Sequence, residues 1–106
     1  MSGFYKNIGW SAQPRSKYEL QEEMKKRIQR GQYNLNDIDT SKITDMSALS
    51  SGFMDRNLSH IDISQWDVSN VIDMEYMFYG CEEFNCYTLS NWKPKSIRAR
   101  VEDVSV

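Results

Sequence analysis

Apolar positions along this chain recur in a repeating register. Leu35, Ile38, Ile43, Met46 and Leu49 are answered 28 residues later by Ile63, Trp66, Val71, Met74 and Met77. Leu89, Trp92 and Ile97 begin a third copy, which Pro94 and the basic stretch from Lys93 to Arg100 interrupt. Each equivalence joins apolar to apolar, as expected if every position contributes to a row of stacked core side chains. The polar residues between them repeat as well: Asp39-Thr40-Ser41-Lys42 returns as Asp67-Val68-Ser69-Asn70. These stretches predict turns, because Asp and Ser side chains bond nearby backbone.

Within a copy the period changes. Met74, Met77, Phe78 and Cys81 fall at i, i+3, i+4 and i+7, which predicts a short helix, and Met46, Leu49 and Phe53 predict another. Asp45 and Asp73 suit the starts of these helices and Gly52 and Gly80 their ends. Segments 60–64 and 86–90 alternate partially and predict one brief strand per copy. The best-signalled element precedes the copies. Ser16-Lys17-Tyr18-Glu19 fits a capping box, Leu20, Met24 and Ile28 make one apolar stripe, Glu22–Lys26 and Glu23–Arg27 are spaced for ion pairs, and Gly31 can end the helix. A helix over roughly 17–30 follows, suited to covering the open end of a stack. In residues 1–15 the aromatics Phe4, Tyr5 and Trp10 predict a leader that lies against the body.

A length of 106 residues predicts one domain. It divides into a leader (1–15), a capping helix (16–31), a first repeat (35–60), a second (61–86), a partial third (87–97) and a tail (98–106). With 40% hydrophobic and 26% charged residues the composition is that of a globular protein. Charge is unevenly spread. Residues 1–33 carry +4, residues 34–91 carry −8 and residues 92–106 carry +2. The acidic middle is either a solvated surface or a face that meets a basic partner. No apolar run approaches the roughly 18 residues of a membrane helix, so no membrane insertion is expected. The N-terminus has no apolar signal-peptide core, which predicts a cytoplasmic chain, or a cell-surface one if a leader was removed.

Candidate chemistry is sparse. Cys81 and Cys86 are expected to be reduced thiols, with Cys81 claimed by the core. His60 is the only histidine and cannot build a zinc site without several further ligands. Asp37, Asp39, Asp45, Asp62, Asp67 and Asp73 lack the residue order of a calcium loop and are better explained as turn and cap residues. No catalytic residue, cofactor or metal is therefore expected. What remains is aromatic and acidic: Tyr76 and Tyr79 lie off the apolar face, flanked by Glu75, Glu82 and Glu83 and followed by Tyr87. Tyrosine suits interface cores because it buries a large area with few rotors, so these six residues form the candidate protein-interaction site. Alternatively, the tyrosines pack on neighbouring turns.

The run Ile38-Asp39-Thr40-Ser41-Lys42-Ile43-Thr44-Asp45-Met46-Ser47, then Ile61-Asp62-Ile63-Ser64-Gln65-Trp66-Asp67-Val68-Ser69-Asn70-Val71, then Met77-Phe78-Tyr79-Gly80-Cys81 and Phe84-Asn85, resembles the BspA-like leucine-rich-repeat proteins, which include mycoplasma-type surface lipoprotein repeats. The resemblance covers about residues 35–97. It implies an α+β fold, a short leucine-rich-repeat-like solenoid of about two and a half repeats behind an N-terminal capping helix. It also implies a binding role, often adhesion at a cell surface, with no catalytic residues to carry over. The expected function is a non-catalytic protein–protein interaction module. The alternative is a small intracellular inhibitor, of phage or mobile-element type such as an anti-CRISPR, whose acidic face blocks a basic nucleic-acid-handling protein. The expected partner is a protein, not nucleic acid, with homodimerisation through the C-terminal end of the stack as a further expectation.

Overall fold

The computed structural model describes residues 10–53, 58–79, 81 and 89–94. Helix α1 spans Lys17–Gln29. It begins where the capping chemistry predicts: the Ser16 hydroxyl accepts from the Glu19 N–H at 3.2 Å. Glu19 reaches back one residue further than in a standard capping box, its Oε1 accepting from the Arg15 N–H at 2.9 Å. At the other end the N–H of Gly31 donates to Ile28 and that of Gln32 to Arg27, the paired bonds of a Schellman motif. Gly31 takes the left-handed conformation this requires, with φ +78°. Leu20 and Met24 are fully buried and Ile28 packs half-buried beside them. Of the two predicted ion pairs, Glu23–Arg27 forms at 3.5 Å, while Glu22 pairs with Lys25 instead of Lys26.

The α+β solenoid expected from the sequence is not what the structure shows. Among the described residues there is one helix, no strand and no sheet; pairing is limited to isolated parallel bridges at Ala12–Ile38, Asn34–Asp62 and Asp45–Asp73. The reason lies in the turns. Asn34, Asp39 and Asp45 each accept the backbone N–H two residues on, from Asn36, Ser41 and Ser47. Asp62, Asp67 and Asp73 do the same from Ser64, Ser69 and Glu75. With a side-chain-closed turn every five or six residues, too few consecutive residues stay extended for a ladder to propagate. The strand expected at 60–64 is therefore a single bridge at Asp62. Of the one expected at 86–90, residues 86–88 lie outside the described residues, and Leu89 opens a turn whose carbonyl accepts from Trp92 at 2.9 Å.

The short helices expected at Met46–Phe53 and Met74–Cys81 are also absent. Ala48 and Tyr76, at equivalent positions, have φ of +52° and +59°, which no right-handed helix accommodates. The N–H groups of Met46, Ala48 and Ser50 donate sideways to the carbonyls of Asp73, Glu75 and Met77 at 2.8–3.0 Å. Intra-segment bonds close four-residue turns, such as those from the Tyr79 N–H to the Tyr76 carbonyl and from the Cys81 N–H to the Phe78 carbonyl. The alternating donors thus serve the neighbouring segment rather than the helix the sequence periodicity suggests.

The apolar equivalences hold at the level of residues. Leu35, Ile38, Ile43, Met46 and Leu49 are buried together with Ile63, Trp66, Val71, Met74 and Met77, and with Leu89 and Trp92. The Trp66 and Trp92 rings stack at 6.3 Å with 13° between planes. Their indole N–H groups donate to the Leu35 and Ile63 carbonyls at 2.9 and 3.0 Å, so each buried ring satisfies its own donor on the preceding segment. Residues 1–9, including Phe4 and Tyr5, lie outside the described residues. Trp10 is 55% exposed, against the expectation that the leader docks through its aromatics. In its described part the leader is tied by polar bonds instead: Ser11 N–H donates to the Asp37 carbonyl, Asp39 N–H donates to the Ala12 carbonyl, and the Gln13 amide donates to the Asp39 carboxylate.

Candidate functional site

The six predicted interaction residues divide by what the structure describes. Glu82, Glu83 and Tyr87 lie outside the described residues. Glu75, Tyr76 and Tyr79 are exposed at one edge of the segment 74–79, the tyrosines at 47% and 66%. Their rings meet edge to face with centroids 5.6 Å apart. Beside them opens a groove of about 350 Å³ lined by Ala48, Ser50, Ser51, Gly52, Phe53, Tyr76, Tyr79 and Cys81.

The groove follows from the difference between the two copies. Tyr76 and Tyr79 occupy the positions held by Ala48 and Ser51 in the preceding copy. Large side chains therefore stand on one segment beside small ones on the next, and the step between them is the groove. Sideways bonds from Ala48 to Glu75 and from Ser50 to Met77 hold the two walls at fixed spacing. Met77 and Phe78, between the tyrosines, point into the core and are fully buried. The far wall is Phe53, whose ring lies 5.7 Å from the Lys25 ammonium of α1.

Helix α1 supports this edge from behind. The Lys17 ammonium donates to the Ser47 carbonyl and hydroxyl, both at 2.9 Å, and pairs with Asp45 at 3.3 Å. Gln21 donates to the Leu49 and Ser51 carbonyls at 2.9 and 3.3 Å. Side chains one helical turn apart thus serve the carbonyls of alternate residues 47, 49 and 51, as the Ala48 and Ser50 amides serve those of Glu75 and Met77. Burial raises the pKa of the Asp45 carboxyl, but the Ser47 hydroxyl and N–H and the Lys17 charge outweigh it and leave the value lowered. Asp39 behaves alike: burial opposes, while the Ser41 N–H and hydroxyl, the Gln13 amide and Lys42 bring the value down. For Asp62 the Ser64 N–H is the largest cause of lowering, followed by the Ser64 hydroxyl and Asn36. These carboxylates are held by local donors as turn residues.

Sequence reasoning missed the role of Arg27. Read from the sequence only as the ion-pair partner of Glu23, it is buried to 3% exposure. Its guanidinium pairs with Asp37 at 3.2 Å and Glu23 at 3.5 Å and donates to the Ser11 hydroxyl at 3.1 Å. Ser11 in turn donates to Asp37, and the Arg27 Nε is buried without a partner among the described residues. The cluster joins leader, helix and first copy. One guanidinium serves both carboxylates and the hydroxyl and so fastens the three stretches together. His60 lies on the surface with its ring edge against Tyr33 at 6.1 Å. Cys81 packs half-buried against the core at the groove, and Cys86 lies outside the described residues. Among the described residues no group of three or more His, Cys, Asp or Glu is placed to hold a metal ion. Among the same residues no helix is long and apolar enough to cross a membrane.

A family model described as "Mycoplasma protein of unknown function, DUF285" matches residues 19–102. The chain belongs to this family. The matched span starts inside α1 and takes in both copies, the tyrosine groove and the Trp92 segment. Neither the curated proteins nor the solved structures contain a match to the chain.

Proposed function

We propose that this chain is a non-catalytic protein-binding module of BspA-like type, and that it binds through the edge carrying Glu75, Tyr76 and Tyr79. Glu82, Glu83 and Tyr87 follow next along the chain. The observation that carries the proposal is the exposure of two touching tyrosines at positions where the equivalent copy has Ala48 and Ser51. The fold at these positions is satisfied by small side chains, so folding does not account for the tyrosines. Contact with a partner does: such rings bury large area at little rotamer cost. An open-sided groove of about 350 Å³ is at the lower end of small-molecule pockets, about 300–1,000 Å³, and suits a protein side chain better than an enclosed metabolite. The spaced Asp-Val-Ser-Asn-Val and Met-Phe-Tyr-Gly-Cys runs, together with membership of the mycoplasma-type family, support the BspA-like reading.

The test is partner recovery with the wild-type chain and a Tyr76→Ala/Tyr79→Ala variant whose thermal midpoint is measured alongside. Partners recovered by the wild type should be lost with a variant that still folds. Equal recovery of the same partner by both proteins would show that this edge is not the contact surface.

A further inference from the structure

Tyr76 is held in a conformation that its side chain does not favour. Its φ of +59° lies in the left-handed region, where a Cβ crowds the following carbonyl and glycine is the natural occupant. The backbone there is set by the fold, because Ala48 takes nearly the same φ, +52°, at the equivalent position. Ala48 also shows that nothing beyond a Cβ is needed there. Tyr76 thus combines backbone strain, an exposed ring and no packing role that its counterpart shares. Outliers of this kind concentrate where a residue serves binding at the expense of stability.

The surroundings indicate what the ring meets. The segment from 34 to 91 carries a net charge of −8, Glu75 adjoins the tyrosine, and Glu82 and Glu83 follow Cys81 in sequence. The Phe53 face is already taken by the Lys25 ammonium at 5.7 Å, so a second cation is turned away from that wall and toward the tyrosine wall beside Glu75. Resting on the binding reading above, we infer that Tyr76 is a strained anchor for a basic segment of a partner protein, whose Lys or Arg side chain lies in the groove against the Tyr76 and Tyr79 rings with Glu75 beside it. Arginine is the better occupant, since its plane stacks on a ring while its edge donates to a carboxylate.

The test uses the full chain and two short blocked peptides of equal length, one rich in arginine and one neutral, followed by tyrosine ring resonances at moderate salt. The arginine peptide should shift Tyr76 and Tyr79 saturably. Tyr76→Gly should weaken its binding about tenfold while leaving the thermal midpoint unchanged or raised, because glycine relieves the φ and removes no charge. Equal affinity of wild type and Tyr76→Gly would mean attraction by charge alone and would overturn the inference, as would a marked fall in the Tyr76→Gly midpoint, which would make Tyr76 a structural residue. Tyrosine-dependent binding of only the neutral peptide would leave the binding surface standing and overturn the basic occupant. If neither peptide reaches the tyrosines, the inference falls too, while the surface itself is judged by the partner-recovery comparison.

Discussion

At the scale of single residues, the side chains of Asn34, Asp39, Asp45, Asp62, Asp67 and Asp73 decide local conformation by closing turns on themselves. Asn34 and Asp62 do this at equivalent positions, so charge is not required for the turn. Asp62→Asn should hold stability within about 0.5 kcal/mol, whereas Asp62→Ala leaves an N–H without its acceptor and should cost about 1 kcal/mol. Chemical denaturation of the two variants distinguishes them. The charge appears instead in the response to acid. Local donors hold the Asp39, Asp45 and Asp62 carboxyls below the ordinary aspartate value. Their contribution is therefore full above that value and is lost as pH falls through the lowered ones. Thermal midpoints should be insensitive to these groups from neutral pH to about 5 and drop below about 4, and an Asp39→Asn/Asp45→Asn variant should show a shallower acid limb.

At the scale of elements, α1 was legible because its signals are local. Ser16 and Gly31 fix its ends through bonds within a turn, and the spacing of Leu20 and Met24 marks the face that packs into the core. The helices expected at Met46–Phe53 and Met74–Cys81 had the right apolar spacing, but left-handed residues at Ala48 and Tyr76 and donors turned sideways replace them with turns. An apolar i, i+3, i+4 pattern says which side chains are buried, not where the backbone N–H groups go. Helix α1 nonetheless governs this edge through Lys17. Lys17→Met should remove two hydrogen bonds and an ion pair from Ser47 and Asp45 and cost about 1–3 kcal/mol. It should also raise the Asp45 pKa toward the ordinary aspartate value, which an NMR titration of the carboxyl reads directly.

At the scale of the whole molecule, Arg27 ties together three stretches far apart in sequence: the leader at Ser11, α1 at Glu23, and the first copy at Asp37. Arg27→Ala strips a buried cation from carboxylates that retain about a third of their exposure. The cost should therefore fall short of the full penalty for breaking a buried pair and come to about 2–3 kcal/mol. Because Arg27 fastens the leader, amide exchange at Ser11 and Asp39, whose N–H groups bond across that junction, should accelerate more than exchange at Met46 or Ser50. Uniform acceleration at all four amides would mean that Arg27 stabilises the fold without specifically holding the leader.

The sequence by itself determined the helix and its caps, most of the buried apolar set and the turn positions of most of the aspartates, while the exposure of Tyr76 and Tyr79 stayed open until the structure placed them. The features it determined depend on residue type and spacing along one short stretch. Only the tertiary structure decided that the copies meet through isolated bridges instead of strands, that Arg27 is buried, and that tyrosines on one segment face small residues on the next to open a groove. Those outcomes depend on which backbone groups and side chains from distant stretches meet across space, and no periodicity within a single segment carries that information.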